Sequence, residues 1–120
     1  MKINILGTDY EIKLLNEEEY PKLKAADAYG LAELYTKELI IDKSLSVPIH
    51  ENEEVRHANL NELTRKIIRH EVIHAYFHEA GLSDYGDDEV LVDWLAIMLP
   101  KLSESSNHIN KNFDDFIKGK

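Results

Sequence analysis

The sequence predicts an α+β fold: a small N-terminal antiparallel or mixed sheet packed on a pair of helices, with a further helix at the C-terminus. Three observations predict it. Apolar and polar residues alternate over 2–6 and 10–15, and a β-rich apolar run, Leu39-Ile40-Ile41, follows. From Leu60 the apolar spacing changes to that of a helix, through Leu63, Ile67, Ile68, Ile73 and Phe77. A second helical pattern, Val90, Leu91, Trp94, Leu95, Ile97 and Met98, comes after a short polar connection.

Taken in order, Ile3 and Ile5 alternate with Lys2 and Asn4, and Tyr10, Ile12 and Leu14 with Glu11 and Lys13. This period of two gives each strand one buried face. Gly7-Thr8-Asp9 supplies the turn chemistry of a hairpin. Asn16-Glu17-Glu18-Glu19 has the form of a capping box, and Pro21 limits the helical turn after it. Residues 21–30 read as irregular, ending at Gly30. Leu31–Tyr35 and Glu38–Asp42 read as a second strand pair joined near Thr36-Lys37, with Leu39-Ile40-Ile41 suited to a central strand.

Ser44–Glu54 contains Pro48 and reads as a loop. The main helix is expected to start between Val55 and Leu60, with Asn59 and Glu62 as one possible cap, and to end near Ala80, with Gly81 in the left-handed conformation. Asp87 or Asp88 can cap the next helix, and Pro100 ends or kinks it. Trp94 is expected to anchor this helix in the core. Residues 103–117 form a final helix with Ile109, Phe113, Phe116 and Ile117 on its apolar side.

At 120 residues, 43% hydrophobic and 31% charged, the chain is expected to form one soluble domain, 1–120. No apolar run approaches the roughly 20 residues needed to cross a bilayer, and the N-terminal run is too short for a secretory signal. Cytoplasmic location and no membrane partner are the expectations. A net charge of −9 without a basic cluster argues against nucleic-acid binding. There are no cysteines, so any zinc must be held by His and carboxylate. Nothing in the sequence fixes an oligomeric state.

The chemistry gathers at His70-Glu71-Val72-Ile73-His74, which reads H-E-x-x-H. Positions four apart on a helix lie about 40° apart and one turn up, so both imidazoles can reach one Zn2+. Glu71 sits beside them, placed to take the proton of a zinc-bound water. A catalytic zinc needs a third protein ligand and an open position. Glu89 and Asp93, four apart on the next helix, are the leading candidates. Glu89 is expected on the metal, and Asp93 on the second ring nitrogen of His70 or His74, which fixes the ring.

These residues resemble the gluzincin metallopeptidases, which carry H-E-x-x-H on one helix and E-x-x-x-D on the next. The longer pattern His70–Leu82 followed by Asp88-Glu89-Val90-Leu91-Val92-Asp93-Trp94-Leu95-Ala96 is similar to small zincin-like proteins commonly encoded in bacteriophages and prophages. The resemblance is strongest over residues 60–102. It implies one Zn2+ on His70, His74 and Glu89, Glu71 as general base, Asp93 orienting a histidine, and hydrolysis of a peptide or protein substrate. It also implies an edge strand, here within Leu31–Asp42, that aligns an extended peptide. The alternative is a zinc-binding regulatory or interaction protein with weak or no hydrolytic activity.

Larger gluzincins carry a later His or Tyr that stabilises the oxyanion, and no matching motif stands out. Tyr76 and Tyr85 are candidate donors, His108 is a candidate electrophile, and His78 could border the cleft. His50 and His57 are expected on the surface near the helix entrance.

Overall fold

A computed structural model describes residues 1–46 and 53–119, and the side chains of all of these except 45, 46 and 53–59. The loop reading around Pro48 and the reading of His50 lie outside the described residues, as does the side chain of His57. The fold is α+β, with a four-stranded mixed sheet and helices.

The sheet contains β1 (Lys2–Ile5), β2 (Thr8–Leu15), β3 (Gly30–Glu33) and β4 (Glu38–Asp42), in the order β1-β2-β4-β3. β1 pairs antiparallel with β2, β2 parallel with β4, and β4 antiparallel with β3. Leu39, Ile40 and Ile41 occupy the centre of the sheet and are fully buried. The first hairpin turns on Leu6 and Gly7, not on Gly7-Thr8-Asp9. Ile5 pairs with Thr8, and both turn residues have positive φ, 50° and 93°. A two-residue turn of this hand matches the twist of the strands, so Thr8 and Asp9 join β2 instead.

Asn16 and Glu19 form the reciprocal capping bonds, Glu19 N–H to Asn16 Oδ1 at 2.8 Å and Asn16 N–H to Glu19 Oε1 at 3.2 Å. The short helix α1 (Lys22–Ala25) follows Pro21 and buries Leu23.

The central helix α2 (Glu53–Glu79) starts before the expected window, so Asn59 lies within the helix rather than at its cap. Residues 53–59 contain neither Gly nor Pro, and nothing in their backbone chemistry stops a helix there. Its end is as expected. Gly81, at φ 74°, follows the last turn; Leu82 N–H bonds Phe77 O at 2.8 Å and Gly81 N–H bonds His78 O at 3.1 Å.

One side of α2 packs on the sheet. Ile67, Ile68, Val72 and Ala75 meet Ile5, Tyr10, Ile12, Leu39 and Ile41. A second side carries Ile73 and Phe77 against Val92, Leu95 and Ala96 of α4 (Glu89–Ile117). Between these two sides is the face that bears His70 and His74. The end of α2 is also tied to the sheet through Glu79. Its carboxylate accepts from Tyr10 Oη at 2.6 Å, Thr8 Oγ1 at 2.8 Å and Lys37 Nζ at 2.9 Å. These donors, Tyr10 first, hold Glu79 down at about 2.

The polar connection contains α3 (Ser83–Gly86), and Asp88 caps α4 by accepting from Leu91 N–H at 3.1 Å. Pro100 does not end this helix. Residues 103–117 are the second half of a helix that runs unbroken from Glu89. Proline has no N–H, so it leaves the carbonyl four residues back, that of Ala96, without its helical bond. Arg69 of α2 fills the gap: its Nε–H donates to Ala96 O at 2.8 Å. Ala96 is fully buried, so water is a poor substitute. Arg69→Met, which keeps the stem and removes the donor, is expected to cost about 1–3 kcal/mol in urea unfolding.

The apolar residues of α4 are less buried than their pattern suggests. Val92 and Ala96 face α2, whereas Trp94 is half exposed beside Val90 and Ile97. Trp94 follows Asp93 by about 100° and so turns away from the side taken by Val92 and Ala96. Ile109, Phe113, Phe116 and Ile117 are exposed. No helix among the described residues is long and apolar enough to cross a membrane.

Candidate metal centre

The sequence places His70 and His74 one turn apart on α2, and the fold brings the start of α4 against them. His70 Nε2 lies 3.2 Å from His74 Nε2. The Glu89 carboxylate spans both rings, with Oε2 2.9 Å from His70 Nε2 and Oε1 3.1 Å from His74 Nε2. Two donors bound to one zinc ion at a tetrahedral angle stand about 3.3 Å apart, given Zn–N and Zn–O distances of about 2.0–2.1 Å. The three side chains therefore converge at the spacing such an ion requires. Glu89 is the first residue of α4, where the helix dipole also favours a carboxylate.

His70, Glu71 and His74 form a group that could hold a metal ion, with one ligand atom from each lying within 4.8 Å of the others. Glu71 is buried, at 5% exposure, and its carboxyl is pushed up to about 8 by burial and then by the neighbouring Glu89 charge. Burial lowers His74, which favours the neutral ring that can offer a lone pair. The His74 ring is also hydrogen-bonded by the backbone of Gly86. Asp93 Oδ1 lies 3.4 Å from His70 Nδ1, on the far side of the ring from Glu89. Asp93 is held below the usual carboxylate range by Lys66, 3.0 Å away, and then by His70.

These groups line a cleft of about 650 Å³ between α2, the start of α4 and β3. Its other walls include Tyr29, Leu31, Ala32, Leu34, Leu63 and Ile67. Among the described residues β3 is an edge strand, paired with β4.

Comparison of the chain with family models, with curated proteins and with solved structures finds no match.

The five principal candidates, His70, Glu71, His74, Glu89 and Asp93, come together. The four further candidates do not line this cleft. Tyr76 is exposed, two residues past His74 and about 200° round the helix. Tyr85 stacks on Phe77, with ring centroids 6.1 Å apart. His78 turns to the ring of Tyr35, at 5.6 Å, because it lies about 80° from His70 around the helix. His108 lies on the exposed second half of α4, where its carbonyl accepts from Asn112 Nδ2 at 2.8 Å.

Three residues at the site go beyond the sequence reading. Lys66 is the partner of Asp93, and Tyr29 brings a phenol to the cleft. Gly30 opens β3 directly against α2. A Cβ at Gly30 would stand 2.9 Å from Ile67 Cγ2 and 3.0 Å from Glu71 Oε2. In the sequence Gly30 reads as the end of an irregular stretch, whereas in the fold it opens β3 at a close approach of another element. Gly30→Ala is expected to destabilise the metal-free protein by about 1–3 kcal/mol in urea unfolding, as an overpacked core position does.

Proposed function

We propose that the chain is a zinc-dependent metallopeptidase of the gluzincin type. The observation that carries this reading is the convergence of His70, His74 and Glu89 on one point beside a buried glutamate and an open strand edge. His70, His74 and Glu89 would hold the ion. When bound, zinc supplies a Lewis acid for the scissile carbonyl and an acidified water.

Glu71 is the base that takes the proton of that water and returns it to the leaving amine. Burial raises its proton affinity in the metal-free chain, and a bound cation beside it would favour the carboxylate that accepts the proton. Asp93 accepts from His70 and fixes the ring. β3, an edge strand among the described residues, presents Gly30–Glu33, to which an extended peptide can add as a further strand. The apolar cleft walls then receive its side chains.

The test is metal content and hydrolysis together. Purified protein should hold about one zinc per chain, as a site with three protein ligands does. It should cleave a mixed peptide library in a chelator-sensitive way. Protein that neither contains nor takes up zinc would sink this reading.

A second reading, a zinc-binding regulatory protein without efficient hydrolysis, is favoured by one observation. Tyr76, His78, Tyr85 and His108 are not among the residues that line the cleft, so an oxyanion donor like that of the larger gluzincins is not among these four candidates. Zinc binding without cleavage of any library peptide supports it.

A further inference from the structure

We propose that Lys66 is a positioning residue of the metal centre, holding the carboxylate of Asp93 so that Asp93 can hold the ring of His70. This rests on the zinc reading above. Lys66 precedes His70 by four residues on α2, so both side chains leave the helix on one face. Lys66 Nζ lies 3.0 Å from Asp93 Oδ1, and the same oxygen lies 3.4 Å from His70 Nδ1. The opposite ring nitrogen, Nε2, faces Glu89 and His74. The chain of contacts runs Lys66, Asp93, His70 and then the point of convergence.

The need for such a tether follows from exposure. The Asp93 side chain is 43% exposed and stands on a different helix from the ring it orients. Left alone, its carboxylate can rotate to water, and the imidazole then loses the acceptor that fixes its direction. Lys66 is only 31% exposed and lines the cleft. A salt bridge at this position constrains one rotamer of Asp93 rather than adding much stability of its own.

A simpler role is available. Lys66 could act only as a counter-charge to Glu71, Glu89 and Asp93. The two roles predict opposite signs. A lysine ammonium repels a dication, so removing a mere counter-charge should tighten zinc binding. Removing a residue that orients a ligand's partner should weaken it, by at most the roughly 10–100-fold that loss of the partner itself costs.

The experiment is zinc affinity of the full chain, measured by competition with a chromophoric chelator at neutral pH. Lys66→Met is expected to weaken binding by about tenfold, the lower end of the loss for a ligand's own partner. Lys66→Arg, which keeps a charged donor, should recover most of the loss. In an Asp93→Ala background Lys66→Met should have no further effect, because Lys66 acts through Asp93. Should Lys66→Met fail to fold, as read by circular dichroism, Lys66→Gln reports the same quantity. Unchanged or tighter zinc binding in Lys66→Met, or an undiminished effect without Asp93, overturns the role of Lys66 while leaving the centre intact. A wild-type chain that binds no zinc overturns both.

Discussion

Glu71→Gln is expected to reduce kcat/KM for peptide hydrolysis by about 100- to 10,000-fold while leaving zinc bound, because the amide keeps the shape and loses the base. The same substitution should change stability in the metal-free protein, and the sign can be worked out. Glu71 is held at about 8 in the fold against 4.5 ordinarily. Between these two values the folded chain keeps a proton that the unfolded chain gives up. Stability is therefore full below the lower value and is lost as pH rises through the upper one.

With chelator present, wild-type protein should lose about 3 kcal/mol between pH 6 and pH 9 on this account, at about 1.4 kcal/mol for each pH unit until Glu71 ionises. Glu71→Gln should remove that slope and leave the variant more stable than wild type at pH 9. Urea unfolding at the two pH values decides it. A slope unchanged in the variant would place the titrating group elsewhere. Saturating zinc should flatten the wild-type slope, since a nearby cation favours the charged carboxylate. The stability contribution of Glu79 runs the other way. It is present above the ordinary carboxylate value and lost as pH falls towards about 2.

The elements whose evidence is local were legible in the sequence. Alternation over residues 2–6 and 10–15 places two strands, because a half-buried strand must show one face to the core. The capping pair Asn16 and Glu19, the terminator Gly81 and the cap Asp88 are each read from residues a few positions apart, and each forms the expected bonds. His70 and His74 are likewise a local pattern, and Glu89 and Asp93 share one face by helical spacing.

What the sequence hid depends on partners distant along the chain. Pro100 reads as a helix end or kink because nothing near it shows that Arg69, on another helix, will take the free carbonyl of Ala96. Nothing within a few positions of Lys66 marks it, because its partner Asp93 is brought beside it only by α4. Gly30 reads as loop because the reason for it, the Glu71 side chain, lies 41 positions away. Trp94 and the apolar residues beyond Pro100 read as core because residue type does not say which face meets a neighbour.

Glu89→Ala carries the second large effect, since it tests which carboxylate completes the centre. Glu71 and Glu89 both lie beside the imidazoles, and their surroundings separate them. Glu71 is buried beneath Gly30, and burial favours its protonated form, a poor ligand. Glu89 is exposed, starts a helix whose dipole favours its charge, and reaches both Nε2 atoms at 2.9 and 3.1 Å. Glu89→Ala should therefore weaken zinc binding by more than about 100-fold, beyond the loss usual for a ligand's partner. Glu71→Gln should leave it within about threefold, because that glutamate is not needed to hold the ion.

The consequence extends to stability, because Glu89 belongs to α4 and the histidines to α2. An ion held by all three joins the two helices. Zinc at about 100 times its dissociation constant should then stabilise wild-type protein by about 2.7 kcal/mol. Glu89→Ala should lose most of this gain at the same zinc concentration, and Glu71→Gln should keep it. Thermal unfolding of the three proteins with and without zinc reads the difference. Loss of the gain in Glu71→Gln but not in Glu89→Ala would make Glu71 the ligand, and a buried glutamate committed to the metal could no longer serve as the base.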